Sequence, residues 1–466
     1  MDEEKALGHE RAPSLAGSSS GHEKSEEDTP EGPLTELAFP PVEQRELRNE
    51  EAREHRDEEE LRHAEAEPDT AAGLTEVAVP PPVERERESG LEPWATLESA
   101  ESRVSGPAEK VETELSGYAT GLYTVCYLVF FSMFGALARI GLQALTEYPG
   151  APVVTGVLWP NVGGCLLMGF FAEDRNVFRD EWGVSQKKEK RSLQDEAQRH
   201  KAVKKTIPLY IGLTTGFCGS FTSFSTFMLD VFLALSNDLP NPNTPTIHPR
   251  NGGYSFMALV AVILYTLALS LISLIFGAHL AASLDKLTPT IPFPLLRNLL
   301  DPAIVFLALG CWTGSIFLAL FPPDRHLGPR EHWRGDAVFA VVFAPLGCLL
   351  RYYVSLWLNP RVLAFPLGTF AVNIFGTMVL GMCFDLQHAG NVVGVDHRVG
   401  CQVLSGVMDG FCGCATTVST WVAELRSLKL RHAYLYGTMS LGAALAILVV
   451  IVGSMRWTVG LDEPVC

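Results

Sequence analysis

The chain has 466 residues, a formal charge of −17, and 47% hydrophobic residues with a mean hydropathy of +0.16. The charge and the hydrophobicity occupy different regions: residues 1–115 hold 32 acidic and 12 basic side chains, and the remainder holds 21 and 24. This separation argues against an acidic soluble protein, and we expect no nucleic-acid partner.

The first 115 residues are rich in Glu, Ser, Pro and Arg, with Phe39 and Trp94 as their aromatic side chains. Such a composition buries too little apolar surface to offset its ordering entropy, so we predict a disordered acidic tail over 1–115. Charges alternate at helical spacing over 44–67, and this stretch is either a solvated helix or a loose segment. A cationic start with an apolar run is missing, so we expect no cleavable secretory signal.

From Gly117 onward, apolar runs of about twenty residues or more follow one another, the length that crosses ~30 Å of hydrocarbon as a helix. The pattern predicts an all-α integral membrane protein with nine spans. They are placed near 118–145, 153–173, 207–236, 254–284, 299–321, 336–358, 366–386, 398–425 and 433–455.

The loop at 174–206 fixes the expected orientation, because its ten Lys and Arg residues are typical of a cytoplasmic loop. With nine spans, loops on that side carry 16 basic residues and the opposite loops carry six. We therefore expect the N-terminus in the cytoplasm and the C-terminus outside.

The membrane part contains an internal repeat. Arg139 precedes Asn161 by 22 residues, and Arg351 precedes Asn373 by 22 residues. The motif GFCGSFTSFSTF, which begins at residue 216, likewise recurs as GFCGCATTVSTW, which begins at residue 410. Four rare polar residues in one register indicate two copies of a four-span unit.

The copies are predicted to be inverted, since a single extra span, 299–321, lies between them. The expected domains are a first repeat over 116–285, a linker with one helix over 286–332, and a second repeat over 333–466. The two glycine motifs then meet antiparallel near the midplane.

The glycines of each motif admit two interpretations. Gly216, Gly219 and their counterparts Gly410 and Gly413 cost ~1 kcal/mol each in a helix interior, and close helix packing is one reason to accept that cost. Because hydroxyl residues that pair with freed carbonyls follow directly, we predict a broken helix in both motifs. Exposed carbonyls of two such breaks would form a cation site.

The repeated polar residues also have alternatives. Asn161 and Asn373 are either interhelical hydrogen-bonding residues or part of an ion path. Arg139 and Arg351, taken singly, are expected to extend to the lipid headgroups. Taken together, these donor groups predict a path for a small anion.

These motifs resemble the Fluc/CrcB fluoride channel family over about 118–455, and the duplicated form is similar to the eukaryotic fluoride exporters. The resemblance implies an antiparallel pair of four-span units in one fused chain, a pseudo-dimer, with fluoride as the transported ion. It also implies a structural sodium ion, held by backbone carbonyls near Gly219, Thr222, Gly413 and Thr416.

The resemblance further implies the lining of two pores. The phenylalanine box would be Phe224 and Phe227, whose equivalents in the second half are Val418 and Trp421. This difference predicts that one pore is vestigial. The remaining candidate pore residues are Asn161, Asn373, Ser225, Thr226, Ser419, Thr420, Arg139, Arg351, Tyr265 with Ser273, and Tyr436 with Ser440.

The implied function is passive export of fluoride across the plasma membrane, driven by the membrane potential and giving fluoride resistance. The chain lacks the G-x-x-x-x-G-K-[ST] motif, and we expect a channel rather than an enzyme.

Two alternatives to a channel remain open. A proton-coupled antiporter would use Asp230 or Asp409, and neither is expected to have a counterpart in the other motif, since Asp409 aligns with Thr215. The second alternative is a non-transporting membrane scaffold that recruits partners through its tail.

Overall fold

The computed structural model describes residues 117–149, 151, 153, 155–179, 203–239, 251–321, 334–389 and 397–461, and within them all regular secondary structure is helical. The helices in chain order are α1 Gly117–Thr146, α2 Leu158–Glu173, α3 208–221, α4 Phe224–Ser236, α5 Gly252–Ser283, α6 Phe293–Leu320, α7 334–358, α8 Leu367–His388, α9 397–415, α10 Ser419–Ser427 and α11 Leu430–Thr458. The predicted disordered tail, 1–115, lies outside the described residues.

Seven helical segments of the described chain are long and apolar enough to cross a membrane. They are α1, α5, α6, α8 and α11 together with the segments Pro208–Ser236 and Ala337–Arg361. The second and eighth predicted spans differ in form, because α2 has 16 residues and the eighth is divided between α9 and α10. The seven helices fit an integral membrane protein, and the count of nine crossings stays a prediction.

The broken segments lie inside the bundle, and the uninterrupted helices α5, α6 and α11 lie outside. Side chains of α4 and α10 are mostly buried, whereas α5, α6 and α11 expose large apolar side chains such as Phe306, Phe317 and Val450. An outer surface this apolar suits hydrocarbon. The polar motifs of the sequence therefore lie inside the bundle, with apolar helices on its outer surface.

Helices α2 and α5 approach each other through two glycines. A Cβ on Gly169 would meet the Leu274 carbonyl of α5, and a Cβ on Gly277 would meet the Leu166 carbonyl of α2. Small residues at such a crossing allow the two backbones to touch. The first repeat depends on this contact because α2 carries Asn161.

The Gly277→Ala variant is expected to lower the melting temperature of the purified protein. Overpacking of a close contact costs about 1–3 kcal/mol, which exceeds the helix-propensity gain of ~1 kcal/mol. Gly442→Ala is the matched control, because nothing lies within 4 Å of a Cβ at that position of α11. Equal melting temperatures for the two variants would contradict the predicted contact.

Candidate ion site at the centre of the bundle

The helix breaks that the two glycine motifs predict are present in the structure. Between α3 and α4, Thr222 and Ser223 have extended backbone, with φ of −93° and −139°. Between α9 and α10, Thr416 has φ −92° and ψ 153°. Each break falls three residues after the second glycine of its motif, at the hydroxyl residues themselves.

The repeated asparagines hold these breaks open. The Oδ1 of Asn161 accepts a hydrogen bond from the Ser223 amide at 2.9 Å, and the Oδ1 of Asn373 accepts one from the Thr417 amide at 2.9 Å. Each asparagine thus satisfies a backbone donor that has left the helical ladder. The Nδ2 of Asn373 donates to the Thr417 carbonyl, whereas the buried Nδ2 of Asn161 has no partner among the described atoms.

The two breaks exchange equivalent hydrogen bonds. The Ser419 amide donates to the Thr222 hydroxyl at 3.2 Å, and the Ser225 amide donates to the Thr416 hydroxyl at 3.0 Å. Counted from the start of each motif, these two contacts join the same positions in opposite directions. Reciprocity of this kind is the signature of an isologous, twofold-like contact.

The repeated arginines also cross from one half to the other. Arg139 is fully buried and donates to the Asp409 carbonyl. Arg351, 1% exposed, donates to the Thr215 carbonyl at 2.6 Å and to the Cys414 carbonyl at 3.0 Å. Thr215 and Asp409 are equivalent positions, each directly before its GFCG motif.

The single-residue alternative for Arg139 and Arg351, extension to the lipid headgroups, does not hold, because both side chains are buried. Their assignment to an ion path stays a prediction. Carbonyls of the broken helix in the opposite half accept hydrogen bonds from the arginines in place of water at the headgroups. These carbonyls are accessible because a π-helical turn precedes each break and displaces them from the regular hydrogen-bond pattern of an α-helix.

The second glycine of each motif makes room for these guanidinium groups. A Cβ on Gly219 would overlap the guanidinium of Arg351, and a Cβ on Gly413 would overlap that of Arg139. The glycines are therefore required for close approach of a charged group from the other half.

Carbonyls beside the breaks are available to a cation. In an unbroken helix the Gly219 carbonyl would accept from the Ser223 amide, and the Gly413 carbonyl from the Thr417 amide. Both amides donate instead to asparagines. Uncoiled carbonyls in a membrane helix are the ligands that sodium sites use, so the Gly219 and Gly413 carbonyls fit such an ion, and the Gly219 carbonyl also accepts the Thr222 hydroxyl at 3.4 Å.

The aromatic residues of both motifs meet in one cluster. The Phe224 and Phe227 rings lie 5.9 Å apart, and the Trp421 indole lies 5.3 Å from the Phe224 ring, all edge to face. These rings and Val418 are completely buried. The structure thus packs the divergent residues of the second half directly against the phenylalanines of the first.

The two predicted Tyr and Ser pairs, one in each half, differ in their surroundings. Tyr436 and Ser440 are buried, and their hydroxyls bond to Glu424 and to the Tyr436 carbonyl, both at 2.7 Å. Tyr265 is 59% exposed on the outer face of α5, away from the centre, while Ser273 is buried.

Thr266 and Ser270 are the inward hydroxyls of α5 that the sequence reasoning missed. Their spacing of four residues, continued by Leu274, could have identified them as one helix face.

Glu424 is a buried carboxylate whose hydrogen-bond partners the sequence did not predict. Glu424 accepts hydrogen bonds from Thr369 at 2.7 Å, from Tyr436 at 2.7 Å and from Asn359 at 3.4 Å. It lies fourteen residues after the first glycine of its motif, as Asp230 does in the other half. The expectation that Asp230 has no counterpart is therefore wrong, although Asp230 differs in having an unpartnered Oδ2 among the described atoms.

The remaining predicted hydroxyls line the breaks. The Ser225 hydroxyl lies 3.0 Å from that of Thr416, and the Thr226 hydroxyl lies 2.9 Å from that of Ser223. The buried Thr420 hydroxyl has no partner among the described atoms. With Ser419 these residues surround the crossing of the two halves.

The fold and this site define a helical membrane protein built around two copies of one broken-helix motif. The family model described as CrcB-like protein, Camphor Resistance (CrcB), matches residues 126–278 and 338–454, one match for each copy. The chain belongs to this family.

Curated relatives match most of the chain. Fluoride export protein 1 of Neurospora crassa is 51% identical over 394 residues, which cover 80% of this chain and 74% of the relative. Fluoride export protein 1 of Candida albicans is 37% identical, covering 72% and 80%. The fluoride-specific ion channel FluC of Geotalea daltonii is 41% identical over 88 residues, 19% of this chain and 66% of the relative. No solved structure matches the chain.

Arg351→Lys is expected to destabilise the protein markedly. A lysine ammonium cannot reproduce the geometry with which the guanidinium reaches two carbonyls on different segments, and a hydrogen bond to a charged group contributes about 1.5–3 kcal/mol. Arg431→Lys, at an exposed position of α11, serves as the control in thermal unfolding. An unchanged melting temperature for Arg351→Lys would contradict the buried crossing.

Proposed function

We propose that this protein is a passive fluoride channel that exports the ion down its electrochemical gradient. Family membership and relatives named fluoride export protein and fluoride-specific ion channel support fluoride as the ion. The observation that carries the proposal is the reciprocal crossing of two broken helices, because it creates a buried, donor-rich and positively charged centre. The sequence has no G-x-x-x-x-G-K-[ST] motif for binding ATP.

The proposed arrangement is an inverted pair of four-span repeats, 116–285 and 333–466, joined by the helix within 286–332. The chain then crosses the plasma membrane nine times, with the tail in the cytoplasm and the C-terminus outside. The reciprocal contacts between the halves support one chain acting as a complete unit without a partner subunit.

The two central guanidiniums supply the electrostatic part of the mechanism. They are fixed by backbone carbonyls and cannot follow a passing ion, so they contribute a standing positive potential that favours an anion. Asparagine, serine and threonine donors then provide several weak binding positions for the ion along the path. The edges of the phenylalanine rings carry partial positive charge and contact the ion without coordinating it tightly. A strongly hydrated ion requires binding positions that bind it and release it.

A structural sodium ion near the carbonyls of Gly219, Thr222, Gly413 and Thr416 is part of the proposal. When bound, it would supply fixed positive charge and hold the two breaks in register. The chain's own contribution is the diversion of the break amides to Asn161 and Asn373, which leaves carbonyl oxygens for the ion.

We further propose that the two anion paths have become unequal and that one is vestigial. Val418 and Trp421 stand where the first half has two phenylalanines, and Val157 stands in the first half where the second has Thr369, each four residues before the repeated asparagine. Asparagine contacts differ as well, since the Nδ2 of Asn373 is bonded and that of Asn161 has no described partner.

Fluoride efflux from liposomes loaded with potassium fluoride provides the test of the channel. We expect efflux to begin only when valinomycin lets potassium follow, because one charge moving through 100 mV changes the free energy by ~2.3 kcal/mol. Efflux without valinomycin that follows an imposed proton gradient would overturn the passive mechanism in favour of the antiporter. Absence of efflux in both conditions would overturn the channel and favour the non-transporting membrane scaffold.

The antiporter has one observation in its favour, the buried Oδ2 of Asp230, which has no partner among the described atoms. The Asp230→Asn variant separates the two mechanisms. A passive channel retains valinomycin-dependent efflux with Asn at this position, whereas a proton carrier loses its coupled flux. Asp238→Asn, just after the C-terminal end of α4, is the control, because it removes a carboxylate charge outside the motif.

Because the two anion paths are proposed to be unequal, the same substitution at the two repeated asparagines is expected to reduce fluoride efflux to different extents. Either Asn161→Asp or Asn373→Asp is expected to abolish electrogenic efflux, because a carboxylate repels the anion, and the other is expected to leave it within about twofold of the parent. Thermal unfolding of both variants verifies that each is folded. Equal losses of about half in each single variant would contradict a vestigial path.

A further inference from the structure

The connection between α7 and α8 presents an arginine stacked on a tryptophan at the surface of the bundle. The Cζ atom of Arg361 lies 3.9 Å from the centroid of the Trp357 ring. Trp357 is 65% exposed, and Val362 and Leu363 beside it are exposed as well. Arg361 is itself exposed and has no carboxylate partner among the described residues. One cationic group and three apolar side chains are thus directed outward together.

Hydrogen bonds and a ring contact hold this connection in place. The Oδ1 of Asn359 accepts hydrogen bonds from the Gly368 and Thr369 amides at 2.7 and 3.1 Å, which satisfies two donors in the first turn of α8. The Phe365 ring packs edge to face on the Tyr436 ring of α11, with the centroids 5.0 Å apart. Because the connection is anchored to two helices, the stacked pair is a fixed feature of the surface.

The pair lies at the level expected for lipid headgroups. Trp357 is next to the last residue of α7, and exposed aromatic side chains also occur near the starts of two other helices, Tyr118 of α1 and Tyr434 of α11. Trp and Tyr side chains are enriched at the membrane–water interface. The orientation proposed above places all three of these helix ends at the cytoplasmic face, and the present inference rests on that orientation.

The corresponding connection in the first half carries the opposite charge. Counted from the repeated arginines, Trp357 and Arg361 correspond to Leu145 and Pro149, and the exposed Glu147 stands between these two. Since the halves are proposed to be inverted, the first connection faces the outside of the cell. A cation at the cytoplasmic face and an acid at the outer face match the two leaflets, because anionic lipids give the cytoplasmic leaflet its negative surface potential.

We propose that Trp357, Arg361, Val362 and Leu363 form a binding site for the headgroup of an anionic phospholipid of the cytoplasmic leaflet. The planar guanidinium donates paired hydrogen bonds to phosphate oxygens, and the indole ring orients it through cation–π attraction. The apolar side chains enter the boundary between headgroups and acyl chains. These four residues lie outside the proposed ion path, so the site binds lipid and has no part in fluoride recognition.

Thermal unfolding of the full-length protein in nanodiscs tests the site without a measurement of fluoride flux. Phosphatidylserine, added in increasing fraction to phosphatidylcholine, is expected to raise the melting temperature, because a ligand that binds the folded state stabilises it. Both leaflets of a nanodisc have the same composition, so neither the orientation nor the fluoride mechanism affects the result. Inorganic phosphate at equal ionic strength in phosphatidylcholine is expected to leave the melting temperature unchanged. An equal rise with inorganic phosphate would overturn the lipid as the partner.

Three variants report on the site. Arg361→Gln is expected to require about fivefold more phosphatidylserine for the same rise in melting temperature. Arg361→Lys is expected to require about twofold more, because an ammonium keeps the charge and loses the fork and the stacking. Lys286→Gln, which removes one positive charge just beyond α5, is the control and responds as the parent does. No rise with phosphatidylserine, a parental response of Arg361→Lys, or equal losses in Arg361→Gln and Lys286→Gln overturns the proposal.

Discussion

The interaction on which the rest of the structure depends is the hydrogen bonding of two guanidinium groups, buried in an apolar bundle, to backbone carbonyls. A charge in a membrane interior is expensive unless protein groups replace its water. Arg139 donates to the Asp409 carbonyl of the opposite half. Arg351 donates to the Thr215 carbonyl of the opposite half and to the Cys414 carbonyl of its own half. Those carbonyls are available because each motif is interrupted, so the charges and the helix breaks require one another.

Several other features follow from this crossing. The Cβ of any other residue at Gly219 or Gly413 would occupy the place of the arginine, so these positions need glycine. Amides released by the breaks bond to Asn161 and Asn373, and break hydroxyls bond across the halves. One physical requirement thus accounts for the repeated Arg, Asn and Gly positions without invoking a separate role for each.

The sequence predicted the helix breaks, the repeat and the central position of the asparagines, because these signals are local or recur at fixed spacing. It did not predict the partners of the arginines, since these lie 270 and 136 residues away along the chain. Tyr265 was chosen by residue type, and the face of α5 that points inward carries Thr266 and Ser270 instead. The acceptor role of Glu424 was not predicted, because its donors Thr369 and Tyr436 lie on two other helices.

The central claim is that the two halves are locked by crossed arginines at paired helix breaks. A cryo-EM map of the full-length protein in nanodiscs tests it most directly, at a resolution that defines side chains. The account predicts Arg351 density against the carbonyls of Thr215 and Cys414, Arg139 density against Asp409, and extended backbone at Thr222 and Thr416. Arginines directed to the headgroups beside continuous helices would contradict it.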